Sequence, residues 1–184
     1  MRKTIRQALA AIAMLCILSA TAAQAQFETD HSYIGPHLGL GSYESSVSFG
    51  GVFEYALTQP GEAGPGRIGI GATVDYWSWS GGSGNYYYWS YSWIPIGVFG
   101  AYHFVLPNRK WDLFTGLGLG YIAVNASWHR PDGGLIETSS AAYGSSLYWS
   151  GTAGARYFFS PGFALHGRLG WGASVLSVGV DLAL

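Results

Sequence analysis

The chain of 184 residues has a single cysteine, Cys16, and it stands close to the N-terminus. Beyond it there is no thiol for a disulfide, a nucleophile or a thiolate metal site. Charge is also scarce. Asp, Glu, Lys and Arg make up 10% of the residues, against about 25% in soluble domains, and a soluble globule needs a charged coat. Leaving aside Arg2, Lys3 and Arg6, six basic residues stand against ten acidic ones, a formal charge of 6 − 10 = −4. No basic stripe exists, which excludes nucleic acid as a partner. Past residue 25 there is no unbroken apolar run of about 18 residues, so helical membrane spans are excluded too.

What the chain does have is aromatic residues, 16% of the total, and 28 glycines. A composition this apolar and this poor in charge belongs to a molecule whose outside faces something other than water. Without apolar helices, such a chain crosses a bilayer only as a closed β-barrel, because open strand edges leave backbone groups unpaired in lipid.

Residues 1–25 have the layout of an export signal. Arg2, Lys3 and Arg6 form a basic start, residues 8–18 are apolar, and Ala23-Gln24-Ala25 is a small-x-small cleavage site. Leu15 precedes Cys16 where a lipid-attachment signal carries a small residue. The mature chain is expected to run from residue 26 to residue 184 as one barrel domain, because no composition break or linker interrupts it.

Period-two alternation recurs eight times, over roughly 33–45, 47–58, 67–80, 88–105, 111–128, 145–159, 163–172 and 175–184. On one face stand Ile70, Val74, Ile96, Val98, Leu117, Leu119, Leu169, Val178 and Leu182. The opposite face carries Gly69, Gly71, Thr73, Gly116, Gly118, Gly120, Gly170, Ser177 and Gly179. That is the pattern of a strand with lipid outside and a crowded lumen inside. Pro107-Asn108 and Ser160-Pro161-Gly162 read as tight turns. Residues 81–85 and 129–144 read as longer outer loops, and residues 59–66 are long for a turn on the other side. The predicted fold is an all-β, eight-stranded antiparallel up-and-down barrel.

Eight ionisable residues are predicted to face the lumen: Glu54, Arg67, Asp75, His103, Arg156, His166, Arg168 and Asp181. In so narrow a space they must pair or be hydrated. Arg168 and Asp181 are expected to pair across adjacent strands, with Arg156 joining them. The bland reading is a structural ion network, and the sharper one is a pore lined by these groups. Ten aromatics are predicted at the membrane interfaces: Trp77, Trp79, Trp89, Tyr91, Trp93, Tyr102, Trp111, Trp149, Tyr157 and Trp171. The alternative for residues 86–93 is a carbohydrate-stacking platform.

Catalytic patterns are weak. His129, Asp132, Glu137, Ser139 and Ser140 share one outer loop, the place where lipid-modifying barrels carry a serine, histidine and carboxylate. Their spacing matches no nucleophile motif. The five histidines lack metal-ligand spacing. The run Gly116-Leu117-Gly118-Leu119-Gly120 is strand alternation, without the strand-to-helix context of a dinucleotide loop.

Tyr102-His103-Phe104 before a turn, then Phe114-Thr115-Gly116-Leu117-Gly118-Leu119-Gly120-Tyr121, resembles the small bacterial outer-membrane β-barrels of the porin-like superfamily. So does Ala155-Arg156-Tyr157-Phe158-Phe159-Ser160-Pro161, followed by a strand with inward Arg168. That family includes the transmembrane domain of outer-membrane protein A. Its members usually end in an aromatic residue, whereas this chain ends in Leu184. The resemblance implies a non-enzymatic barrel, a monomer, in the outer membrane of a Gram-negative-type bacterium. It also implies a structural or surface-interaction role, in adhesion or resistance. The expected partners are outer-membrane lipid, the barrel-assembly machinery and a host or surface ligand of the outer loops, with no cofactor. A passive pore and a lipid-modifying enzyme are the alternative functions.

Overall fold

Backbone N–H and C=O groups that cannot reach water must pair within the chain, and this chain pairs them in one closed ladder. The computed structural model describes residues 27–28, 31–42, 46–59, 61–81, 88–130, 132, 134–139 and 145–184. The expected export signal lies outside these residues. The strands are β1 (Ser32–Ser42), β2 (Ser46–Ala56), β3 (Gly66–Gly81), β4 (Tyr88–Phe104), β5 (Trp111–His129), β6 (Leu135–Ser139), β7 (Ser146–Ser160), β8 (Phe163–Trp171) and β9 (Leu176–Ala183). All pairings are antiparallel. β5 pairs with β7 past the short β6, and β1 pairs with β9 from Tyr33–Ala183 to Leu40–Leu176. The ring is thus closed by eight strands.

The ninth element, β6, was expected as loop. It pairs with the upper end of β5, Ala126–Ser139 to His129–Leu135, outside the ring. A turn at residues 130–134 brings it there: Arg130 N–H donates to the Gly134 carbonyl at 2.8 Å, and Asp132 Oδ1 accepts from Gly134 N–H at 2.9 Å. Five residues between polar flanks carry too little periodicity to announce a strand.

The connection at residues 57–65 is long but folded. Gly61 N–H donates to the Gly64 carbonyl at 3.1 Å, and these two glycines take φ values of +95° and +77°. A side chain is strained there. This connection, the turns at 105–110 and 161–162, and Phe27 share the lower end of the barrel. The outer connections share the upper end.

The outer wall is apolar where the alternation predicts it, with Leu117 71% and Val98 62% exposed. The inner wall is filled. Rings occupy the space that glycines leave: a Cβ on Gly71, Gly120 or Gly154 would enter the ring of Phe99, Tyr148 or Phe114. At the lower end Phe27, Tyr33, Ala56, Phe158 and Ala164 pack into a buried apolar floor. Phe27 precedes β1 and is turned up into the lumen mouth.

Closure is tightest at Gly35. A Cβ there would fall on the Val180 carbonyl oxygen, whereas Gly167 has no atom within 4 Å of such a Cβ. Gly35→Ala is therefore expected to abolish the faster-migrating unboiled band on a denaturing gel, and Gly167→Ala to keep it. Equal behaviour of the two variants would contradict this account of the seam.

Candidate functional site

Parity along each strand aims every second side chain at the lumen, and the register decides which of them meet. Arg156 on β7 is 0% exposed and is the hub of the lower lumen. Its Nε donates to Asp181 Oδ2 at 2.6 Å, its Nη2 to Glu54 Oε2 at 2.7 Å and its Nη1 to Asp112 Oδ2 at 3.2 Å. His103 bridges two of these carboxylates, with Nε2 2.9 Å from Glu54 Oε1 and Nδ1 2.9 Å from Asp112 Oδ2. Both contacts are hydrogen bonds when both ring nitrogens carry hydrogen. His166 Nδ1 lies 2.9 Å from Asp181 Oδ2.

Rings enclose this cluster. Phe27 stacks on His103 at 3.7 Å between centroids, with 7° between the planes. The Arg156 guanidinium lies 5.3 Å from the Phe27 ring centroid, 5.1 Å from that of Tyr33 and 5.6 Å from that of Phe114. The arrangement holds charge in a dry space. It offers no free acid or base to a substrate.

Of the predicted lumen residues, the structure brings together Glu54, His103, Arg156, His166 and Asp181. It adds Asp112, which has the same parity as Gly116 and was legible from it. Asp75 stands apart, held by His37 Nε2 at 2.8 Å. His37 is the second residue that sequence reasoning missed. Arg67 sits beside His103 in register, yet its Nε and Nη1 are buried with no hydrogen-bond partner.

The expected Arg168–Asp181 pair does not form. Arg168 is level with Ser177, while Asp181 is level with Ala164. Four residues of strand separate the two levels, about 13 Å. Arg168 instead lies over the rings of Phe99 and Phe114, at 5.5 and 5.4 Å from their centroids, with Nε and Nη2 buried and unpartnered. It lines a cavity of about 80 Å³ above the network, with His37, Thr73, Asp75, Tyr148 and Ser150.

The aromatic prediction divides in two. Tyr102, Trp111, Trp149, Tyr157 and Trp171 have outward parity. Trp77, Trp79, Trp89, Tyr91 and Trp93 have inward parity, and the expected lipid-side placement is corrected for these five. Trp77 is 3% exposed. They form successive rungs on the inner side of the tall β3–β4–β5 wall. Trp77 stacks on Trp93 at 5.5 Å, Trp79 on Tyr91 at 6.0 Å and Trp89 on Tyr91 at 6.3 Å, and Trp89 meets Trp128 at 4.8 Å. The outward positions at this height are Ser78, Ser80, Ser90, Ser92, Asn125 and Ser127. Polarity is therefore inverted over these rungs, with rings inward and hydroxyls outward, while Tyr88 and His129 stack on the outer face above them. A count of aromatics reports that they cluster, and only parity reports which way they point. Tyr86 and Tyr87 lie outside the described residues.

Among the catalytic candidates, Ser140 and the side chains of Glu137 and Ser139 lie outside what is described. Asp132 caps its own turn. His129 stacks on Tyr88 at 5.0 Å, and its Nε2 is 2.8 Å from Ser90 Oγ on the outer face. Its Nδ1 is buried without a partner, so among the described residues no third group orients the ring.

This fold is that of the small eight-stranded outer-membrane β-barrels. The structure of Ail, the attachment invasion locus protein of Yersinia pestis, in complex with the heparin analogue sucrose octasulfate, matches with a TM-score of 0.50 at 13% identity. That match covers 85% of this chain and 96% of Ail. A de novo designed transmembrane β-barrel gives 0.48 at 18% identity, over 86% and 99% of the two chains. The N-terminal β-barrel domain of Pseudomonas aeruginosa OprF gives 0.46 at 14% identity, over 85% and 98%. No protein-family model and no curated protein sequence matches the chain.

Removing the hub should cost more than removing the lone guanidinium. Arg156→Ala leaves three buried carboxylates with histidine partners alone, a loss of about 3–5 kcal/mol. Arg168→Ala strands none and should cost clearly less. Denaturant unfolding of the refolded barrel in micelles, followed by tryptophan fluorescence, measures both. Equal losses would refute Arg156 as the hub.

Proposed function

We propose that the chain is an integral outer-membrane barrel protein that acts at its outer surface, in adhesion, resistance or envelope integrity, and does so without catalysis. The observation that carries this reading is the sealed lower lumen. Arg156 and its three carboxylates fill the cross-section, and Phe27 stacks beneath them on His103. A passive pore needs a hydrated path, and a buried ion cluster boxed in by rings opposes one. The apolar outer belt supports contact with membrane lipid, and a closed strand ring calls for the barrel-assembly machinery as a partner. Among the described residues no carboxylate accepts from His129 Nδ1 beside Ser90, and a triad needs that third member.

What remains available for function is the loop end, where β3, β4 and β5 run on for 16, 17 and 19 residues while β8 and β9 have 9 and 8. Attachment is what the name of Ail describes for that protein, and the same class of role is proposed here.

Planar-bilayer recording tests the division of labour. Purified barrel is expected to give no stepwise conductance. Reproducible single-channel steps would make the passive pore the correct reading.

A further inference from the structure

Opposite the tall aromatic wall the rim is low. The β8–β9 connection spans only residues 172–175, so the upper lumen is open on that side and walled on the other. Trp79 is 47% exposed, although its indole lies against Gly81, where a Cβ would collide with it. The glycine lets the ring lie along the sheet and present one face. Trp89 and Tyr91 continue the wall and are half-buried. Between Asp75 and Arg109 the sequence holds no Asp, Glu, Lys or Arg, so the wall is uncharged over its whole β3–β4 span.

The cavity beside this wall has a different character. It carries one guanidinium, Arg168, and one carboxylate, Asp75, together with the hydroxyls of Thr73, Tyr148 and Ser150. Two buried N–H groups of Arg168 have no acceptor among the described residues. Buried donors without partners are costly, and a ligand or water that accepts from them is stabilised. The floor therefore offers donors and acceptors together, with one charge of each sign.

We infer that this upper vestibule is a binding site for a neutral oligosaccharide. Such a ligand presents apolar C–H faces to rings and hydroxyls to mixed donors and acceptors, which are the two chemistries found side by side here. Multiply anionic glycans are disfavoured, since the wall has no cation and the floor sets Asp75, held by His37, against its one guanidinium. A lipid tail has no use for the polar floor. At about 80 Å³ the floor cavity is too small for a sugar ring. The ring stacks on Trp79, Tyr91 and Trp89, and a hydroxyl-bearing arm reaches towards Arg168. This assignment rests on the surface-interaction reading above and names the ligand class for it.

The test uses the whole mature barrel, refolded in an amine-oxide detergent, because alkyl-glycoside detergents present the same chemistry as the ligand. Cellohexaose, maltohexaose and mannohexaose are titrated against it by calorimetry and tryptophan fluorescence, beside a heparin hexasaccharide. At least one neutral hexaose is expected to bind saturably and more tightly than the heparin fragment. Trp79→Ala and Arg168→Gln should each weaken that binding at least tenfold, and Trp149→Ala, on the lipid side, should not. Gly81→Val, which tilts the Trp79 ring without removing it, should weaken binding too. Heat modifiability on a gel verifies that each variant is folded. Binding to none of the neutral hexaoses, tighter binding of heparin, or binding unchanged in the Trp79 and Arg168 variants would overturn the inference. Conductance is read in a separate experiment, so a silent barrel that binds no sugar refutes the glycan site while leaving the closed-barrel reading standing.

Discussion

Every peptide group placed in hydrocarbon has to find its partner inside the same chain, and the rest of this structure follows from that requirement. The first strand must reach the last, which it does along β1–β9 from Tyr33 to Leu40. Gly35 stands in that seam, where the neighbouring backbone leaves no room for a side chain. Ring closure by eight strands then sets the bore, and an eight-stranded bore is just wide enough for side chains to fill.

A bore of that size dictates what goes inside. Glycines on the lumen face create recesses that Phe99, Phe114 and Tyr148 occupy. At the lower end charge is gathered into one network. Arg156 has three carboxylates in contact, two of them shared with His103. Phe27 completes the enclosure although it belongs to no strand. Arg168 sits two rungs higher, where aromatic faces and a small cavity replace acceptors. The lower lumen is thus crossed by a connected ion network, while the upper one opens towards the loop end, which is where function is sought.

At the outer rim a rule is reversed. Within the apolar belt large residues point outward and small ones inward. Above it the rings of Trp77, Trp79, Trp89, Tyr91 and Trp93 point inward and serines point outward. The strands continue unbroken through the change, so polarity switches at fixed parity.

The sequence by itself determined the fold class, the eight strands of the ring and the inward or outward parity of most positions. These depend on local alternation, which a linear chain displays directly. It also named most of the lumen cluster: Glu54, His103, Arg156, His166 and Asp181. Tertiary structure alone decided who pairs with whom. Register between strands is set by turns and by closure, so four residues of offset took Asp181 away from Arg168 and gave it to Arg156. The register of the β4–β5 hairpin brought Asp112 to His103, and packing against Tyr33 and His103 set Phe27 in the floor. The side on which the aromatics lie also waited for the structure, because clustering in sequence is blind to parity until a strand is anchored against its neighbours.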